Sequence, residues 1–313
     1  MSDEEHDDRD EEEPVDLDGP KLIDPRTLPA RVHNLKAALV SGAHCLHSFQ
    51  GEGGDTLARR LGNVAHAMLL GQPFEIWDVE AKASVTRREK ALAAGKPEPK
   101  RTIAPRTGDV WRDFARKHAG KVIASPKEVV VARRLCSAIQ ACGPAARMLT
   151  TTGLRFEDTI LWTQCGRARR STPDVRKERH DANGRSFVLE IKTTRCAAPG
   201  PFGRDAKRLG YHMQLADQCA AIEASTGRAP DQAFIVAVET SPPHVVQVYE
   251  VPPTMLEQGA ALCSAALEKL QLCEATGDWS GYSRRIEELT FPLDYGAAVV
   301  ELAGPEDEEV GGR

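Results

Sequence analysis

Long apolar runs are absent from this 313-residue chain. Nothing approaches the roughly 20 consecutive apolar residues that a membrane-spanning helix needs. A basic leader is missing too: residues 1–18 hold eleven acids and one Arg, the reverse of a signal peptide. Aromatic side chains make up only 5% of the chain, whereas 28% of residues are charged. This balance predicts a soluble protein with no membrane partner. The eight cysteines form no Cys-x-x-Cys pair, and Cys263 and Cys273 stand too far apart for a zinc knuckle. A chain long enough to bury a core needs no disulfide staples, so free thiols in a reducing cytoplasm are expected. Internal repeats are absent as well.

Positive charge is not scarce, although the net charge of −5 suggests it. Two acidic tails mask it. Residues 301–313 carry five acids and one Arg, and between residues 19 and 300 the remaining 39 bases face 30 acids. A basic body suits a polyanionic partner. The tails, 1–20 and 301–313, read as solvated and disordered. The part between them divides into a helical amino-terminal region, 21–122, and a core, 123–300.

Helices are expected over 30–48 and 56–70, the second with Leu61, Val64, Ala65, Met68 and Leu69 on one face and His66 at its edge. On spacing alone, such a His reads as a hydrogen-bonded structural residue. Residues 81–107 read as a basic connector, followed by a helix through Trp111 and Phe114 that Gly120 stops. Ser125-Pro126-Lys127-Glu128 is a capping box with Pro at the first helical position. Strands are expected over 157–164, 171–177 and 186–194. A Pro- and Gly-containing loop near Pro199, a helix over 209–226, strands over 233–240 and 245–251, and a helix over 255–276 follow. This order predicts a mixed α/β layout with helices covering a central sheet.

The two most informative stretches are Thr172-Pro173-Asp174 and Leu189-Glu190-Ile191-Lys192-Thr193-Thr194. Asp181-Ala182-Asn183-Gly184 between them is a hairpin signal. Strand alternation points Glu190 and Lys192 to one face, with Leu189 and Ile191 on the other. If the hairpin closes, Asp174 approaches that polar face. Two carboxylates beside one ammonium suit magnesium or manganese and phosphodiester chemistry. The plainer alternative is a solvated hairpin face with a surface ion pair.

The element order and these residues resemble the PD-(D/E)XK nuclease superfamily: Pro173-Asp174 matches its PD, and Glu190-Ile191-Lys192 its (D/E)XK. Further motifs are similar to the RecE-type phage and prophage exonucleases. These are Gly62-x-x-x-His66, Trp111-x-x-Phe114, Glu157 with Trp162, Arg170 ahead of the PD, Tyr211-His212-Met213-Gln214, and Trp279-Ser280-Gly281-Tyr282. One position departs, because Gln218 stands where that family often has Tyr.

The resemblance implies a restriction-endonuclease-like core. It implies a metal held by His66, Asp174, Glu190 and the carbonyl of Ile191, with Glu157 as a possible accessory. Lys192 would orient or deprotonate the attacking water or stabilise developing charge, with a pKa that burial can lower. Gln214 and Tyr211 would position water or the scissile strand, and Arg170, Arg101 and Arg106 would contact phosphate. The implied activity is a magnesium-dependent exonuclease acting on double-stranded DNA ends, 5′ to 3′, in the cytoplasm of a bacterial host. A ring-shaped homo-oligomer and a single-strand annealing partner are implied with it. An endonuclease or single-strand nuclease on the same core, or a non-catalytic DNA-end-binding protein, are the alternatives.

Overall fold

The computed structural model describes residues 23–50, 56–178, 184–283 and 285–289. Both acidic tails and the Asp181–Asn183 turn lie outside the described residues.

The amino-terminal region is helical. Helix α1 (Val32–Val40) and α2 (Gly42–Phe49) replace the single helix expected over 30–48. Ser41 divides them: its hydroxyl accepts from the His44 N–H at 3.2 Å and starts a new helix. Helix α3 (Leu57–Leu69) follows, capped by Thr56. A short parallel pair, β1 (Phe74–Ile76) and β2 (Val122–Ala124), encloses α4 (Lys82–Ala93) and α5 (Gly108–Lys117). Helix α4 corrects the expected connector over 81–107. Its sequence is built mostly from Lys, Arg, Glu and Ala, all strong helix formers, and it needs little apolar surface to be stable.

The core begins with α6 (Pro126–Ala141), whose Ser125–Glu128 capping box is present as expected. Helix α7 (Gly143–Thr150) then leads to β3 (Leu154–Phe156), β4 (Ile160–Gln164), β5 (Arg167–Ser171), β6 (Val175–Lys177) and β7 (Phe187–Thr194). Next come α8 (Pro199–Arg208), α9 (Tyr211–Thr226), β8 (Gln232–Glu239), β9 (Val246–Glu250) and α10 (Pro253–Thr276). The main sheet has the order β3-β6-β7-β8-β9. Strands β7 and β8 run parallel, and every other neighbour is antiparallel. This is the expected mixed sheet flanked by helices, with a helical region ahead of it.

Three local differences have clear causes. The strand expected over 171–177 is broken, because Pro173 has no N–H to give a ladder. Its first part instead pairs with β4 as a separate hairpin, turned by Cys165 and Gly166 at φ 49° and 76°. The strand expected from Glu157 starts only at Ile160, and Glu157 sits in a left-handed bend at φ 49°. The loop expected near Pro199 is α8, since prolines in a first helical turn forfeit no intrahelical bond.

Strand β7 shows why the sheet holds together. Phe187, Leu189 and Ile191 enter a core with Val64 of α3, Leu135 and Ile139 of α6, and Val236 and Val238 of β8. Val188, on the opposite face, packs with Leu215 and Ile222 of α9 and Phe202 of α8. A third cluster joins Leu35 and Ala38 of α1 to Leu267 and Leu270 of α10, tying the amino-terminal helices to the core.

Candidate active site

Strand alternation sets the site's first half. Glu190 and Lys192 share the Val188 face of β7, which α9 covers. Val175 pairs with Leu189, so Asp174, one residue earlier on the antiparallel neighbour, comes opposite Glu190. The pairing expected from the two motifs therefore forms. Asp174 accepts the Ile191 N–H at 2.7 Å through Oδ2, a bond that locks the acid against the neighbouring strand. Its side chain is only 8% exposed.

Helix α3 supplies the second half. Gly62 lets it approach β7 closely, as a Cβ there would lie 3.1 Å from Thr193 Oγ1. One turn later, His66 Nε2 lies 3.0 Å from Asp174 Oδ2 and 3.3 Å from the Ile191 carbonyl oxygen. His66 Nδ1 lies 3.2 Å from Glu157 Oε1. Glu157 is carried there by its left-handed bend, pinned by its own N–H to the Asp174 carbonyl at 3.0 Å. His66, Glu157 and Asp174 offer ligand atoms that all fall within 4.8 Å of one another.

Glu190 is held differently. Its Oε1 accepts from Lys192 Nζ at 2.6 Å and from the Gln214 amide, and its Oε2 accepts from the Gln218 amide at 2.7 Å. Lys192 Nζ also lies 5.0 Å from the centre of the Tyr211 ring, a cation–π distance. Tyr211, His66, Glu157, Glu190 and Lys192 line one open cleft of about 620 Å³.

The electrostatics are those of a site short of positive charge. Burial alone would lower the His66 pKa, but Asp174, Glu157 and Glu190 raise it to about 10. Both ring nitrogens face oxygens, so the ring carries two protons or shares a nitrogen with a cation. Burial and the neighbouring Glu190 push Asp174 up to about 6. The Lys192 pKa moves opposite to the lowering expected: burial lowers it, but Glu190 and Asp174 outweigh that and raise it. Carboxylate oxygens, a carbonyl and an imidazole are a donor set that fits a divalent ion such as magnesium or manganese. His66, Asp174 and the Ile191 carbonyl would hold it, with Glu157 and Glu190 beside them.

The other expected contacts lie elsewhere. Arg101 is engaged with Asp78 at 2.7 Å and Glu80 at 3.4 Å. Arg106 bonds Glu128 at 2.6 Å and the Ile123 carbonyl. Arg170 opens with Arg31 and His33 onto a smaller hollow that Gln214 and Gln218 also line. Two neighbours were not legible as site residues. Gln218 was visible only as a departure from a family pattern. Lys36 of α1 donates to the Leu209 carbonyl at 2.8 Å, and burial together with Lys192 lowers its pKa to about 8. Nothing in its local sequence distinguishes it.

Comparison with known proteins bears on the fold. Residues 177–290 match the model of a PDDEXK-like domain of unknown function; the match contains Glu190, Lys192, Tyr211 and Gln214 and begins just after Asp174. No curated protein matches. A solved structure from Eubacterium rectale, described as a candidate exonuclease, is similar with a TM-score of 0.51 at 10% identity, covering 89% of this chain and 94% of its own. An alkaline exonuclease from Laribacter hongkongensis aligns at 14% identity over 80% of this chain and 92% of its own, with a TM-score of 0.29. A phage-related exonuclease from Haemophilus somnus 129PT aligns at 13% over 80% and 97%, with a TM-score of 0.32. The last two scores are too low to bear on the fold. Among the described residues, no helix is long and apolar enough to cross a membrane. In fold, this chain is PDDEXK-like.

Proposed function

We propose that this protein is a metal-dependent exonuclease that hydrolyses phosphodiester bonds at the ends of linear double-stranded DNA. The observation that carries the reading is the convergence of His66 with Asp174 and the Ile191 carbonyl, all within 3.3 Å of the ring nitrogen. The Glu190–Lys192 pair adjoins them in the same cleft. A divalent ion bound there would supply charge neutralisation at phosphorus and a water of lowered pKa. Magnesium is the proposed ion, with manganese as a substitute.

The residues divide the remaining work. Asp174 is fixed by the Ile191 N–H and presents its carboxylate without side-chain freedom. Lys192, kept protonated by Glu190, suits stabilising negative charge that develops at the phosphate more than removing a proton. Gln214 orients Glu190 by donating to its Oε1. Tyr211 forms a wall of the cleft beside Lys192. Arg170 is proposed to contact the DNA backbone near Gln214. Arg101 and Arg106 would need to leave their present carboxylates to do so.

The 5′ to 3′ direction, the ring-shaped assembly, an annealing partner and a place in recombination rest on the motif resemblance to RecE-type enzymes. The deciding experiment digests linear duplex labelled separately at each end, beside closed-circular duplex, with magnesium and with chelator. Magnesium-dependent loss of 5′ label from linear DNA only is expected. Cutting of closed circles would reassign the core to an endonuclease, and no cleavage by a protein that still binds DNA ends would leave an end-binding role.

A further inference from the structure

The carboxylate of Glu190 is the most thoroughly bonded group in the site. An ionised carboxylate offers about four lone-pair positions on two oxygens. Oε1 already accepts twice, from Lys192 and from Gln214. Oε2 accepts once among the described residues, from Gln218 at 2.7 Å. The position left open is therefore on Oε2, beside the Gln218 amide.

Gln218 is built to hold that oxygen still. It lies one helical turn after Gln214, so both amides leave α9 on the face that covers β7. The residue is 2% exposed, and its Oε1 meets no donor among the described residues. A buried amide with one unsatisfied oxygen is a poor way to stabilise a core. The helix beneath it is anchored separately, because adjacent Asp217 is bonded to Arg169 of β5, with side-chain exposures of 1% and 0%. Gln218 is thus not required to seat α9.

We infer that Gln218 is a positioning residue that fixes the Glu190 carboxylate where it lines the cleft beside the His66–Asp174 group. The inference rests on the metal reading above and adds a group that touches neither metal nor DNA. Outer-shell partners of this kind typically change metal affinity by about 10- to 100-fold.

The test is Mn²⁺ affinity, read by electron paramagnetic resonance on the full-length protein without DNA. Gln218→Met keeps the length and removes the donor. Its Mn²⁺ dissociation constant should rise about tenfold or more, while the metal-free melting temperature falls with the loss of one donor to a buried carboxylate. Gln218→Tyr and Gln218→Phe share a shape and differ by one hydroxyl donor, so they decide the matter if the Met variant folds poorly. Tighter Mn²⁺ binding by Tyr than by Phe supports the role. Equal affinity of the Tyr and Phe variants, or a Met variant within twofold of the parent, overturns it while leaving the metal site standing. A parent protein that binds no Mn²⁺ overturns the metal reading and this inference together.

Discussion

Two buried ionic clusters lie a few residues apart in this molecule and are organised in opposite ways. Around Arg169, the cation is fully engaged: the guanidinium is bonded to Asp217, Gln164 and the Ala30 carbonyl, and its Cζ lies 5.2 Å from the Trp162 ring centre. Around His66, charge is unbalanced, since Glu157, Asp174 and Glu190 act on one imidazole and the group faces an open cleft. Both are buried, so burial of charge alone marks neither as functional. What separates them is a surplus of carboxylate with access to solvent. The first arrangement fixes a helix, and the second has the donor set proposed above for a cation.

The comparison breaks most visibly at the lysine proposed to act on the phosphate. Lys192→Ala should lower DNA degradation by about 10²- to 10³-fold, measured by a gel assay, and should also lower the unfolding midpoint in urea, because Glu190 is left buried without its partner. Undiminished magnesium-dependent degradation would assign the activity to a contaminant. The Arg169 cluster should answer in stability alone. Arg169→Met leaves Asp217 buried without its partner and should cost about 3–5 kcal/mol of stability. Adding Asp217→Leu should recover most of that, because replacing both members of a buried pair is often near neutral.

Protonation sharpens the contrast. A metal that ligates His66 must displace a proton held up to about pH 10. Mn²⁺ affinity should therefore rise by about tenfold per pH unit above the Asp174 value of about 6, and fall more steeply below it. Without metal the sign reverses: the stabilisation from charged His66 is complete below its ordinary 6.5 and fades as pH climbs through about 10. Calorimetry across pH, with and without Mn²⁺, reads both limbs. A smaller effect is steric. Gly62→Ala places a methyl 3.1 Å from Thr193 Oγ1, so it should cost about 1–3 kcal/mol and loosen Mn²⁺ binding, with Thr193→Ala restoring part of both. Smallest is Arg101→Ala, which removes a half-exposed ion pair. It should shift stability by under about 1 kcal/mol and leave DNA affinity, measured by fluorescence anisotropy, nearly unchanged.

The legible parts were those with short-range physical signatures. The Ser125–Glu128 box and the alternation of β7 are written within a few residues, and both form as expected. The proximity of His66 to Asp174 was legible only through motif resemblance, because α3 and β6 meet by tertiary packing that periodicity does not encode. Pro173 reads as part of a motif rather than as a strand breaker, and that hides the β4–β5 hairpin. Lys36 and the role of Gln218 could not be read at all. Lys36 depends on how α1 packs against the start of α9 and Gln218 on which side of α9 faces β7, and a single buried Gln looks like any other polar residue until its partner is known. Helix α4 is not legible because charged, Pro-flanked sequence resembles a linker when no apolar stripe is present.

The imidazole reaches its carbonyl neighbour across 125 positions of chain, and its Glu157 neighbour across 91. A ribosome releases α3 long before it releases β7. The emerging polypeptide therefore cannot assemble the proposed ion site until the sheet has closed over that helix, and, on the proposed function, a chain cut between Leu69 and Val122 should give two halves that degrade DNA only after mixing.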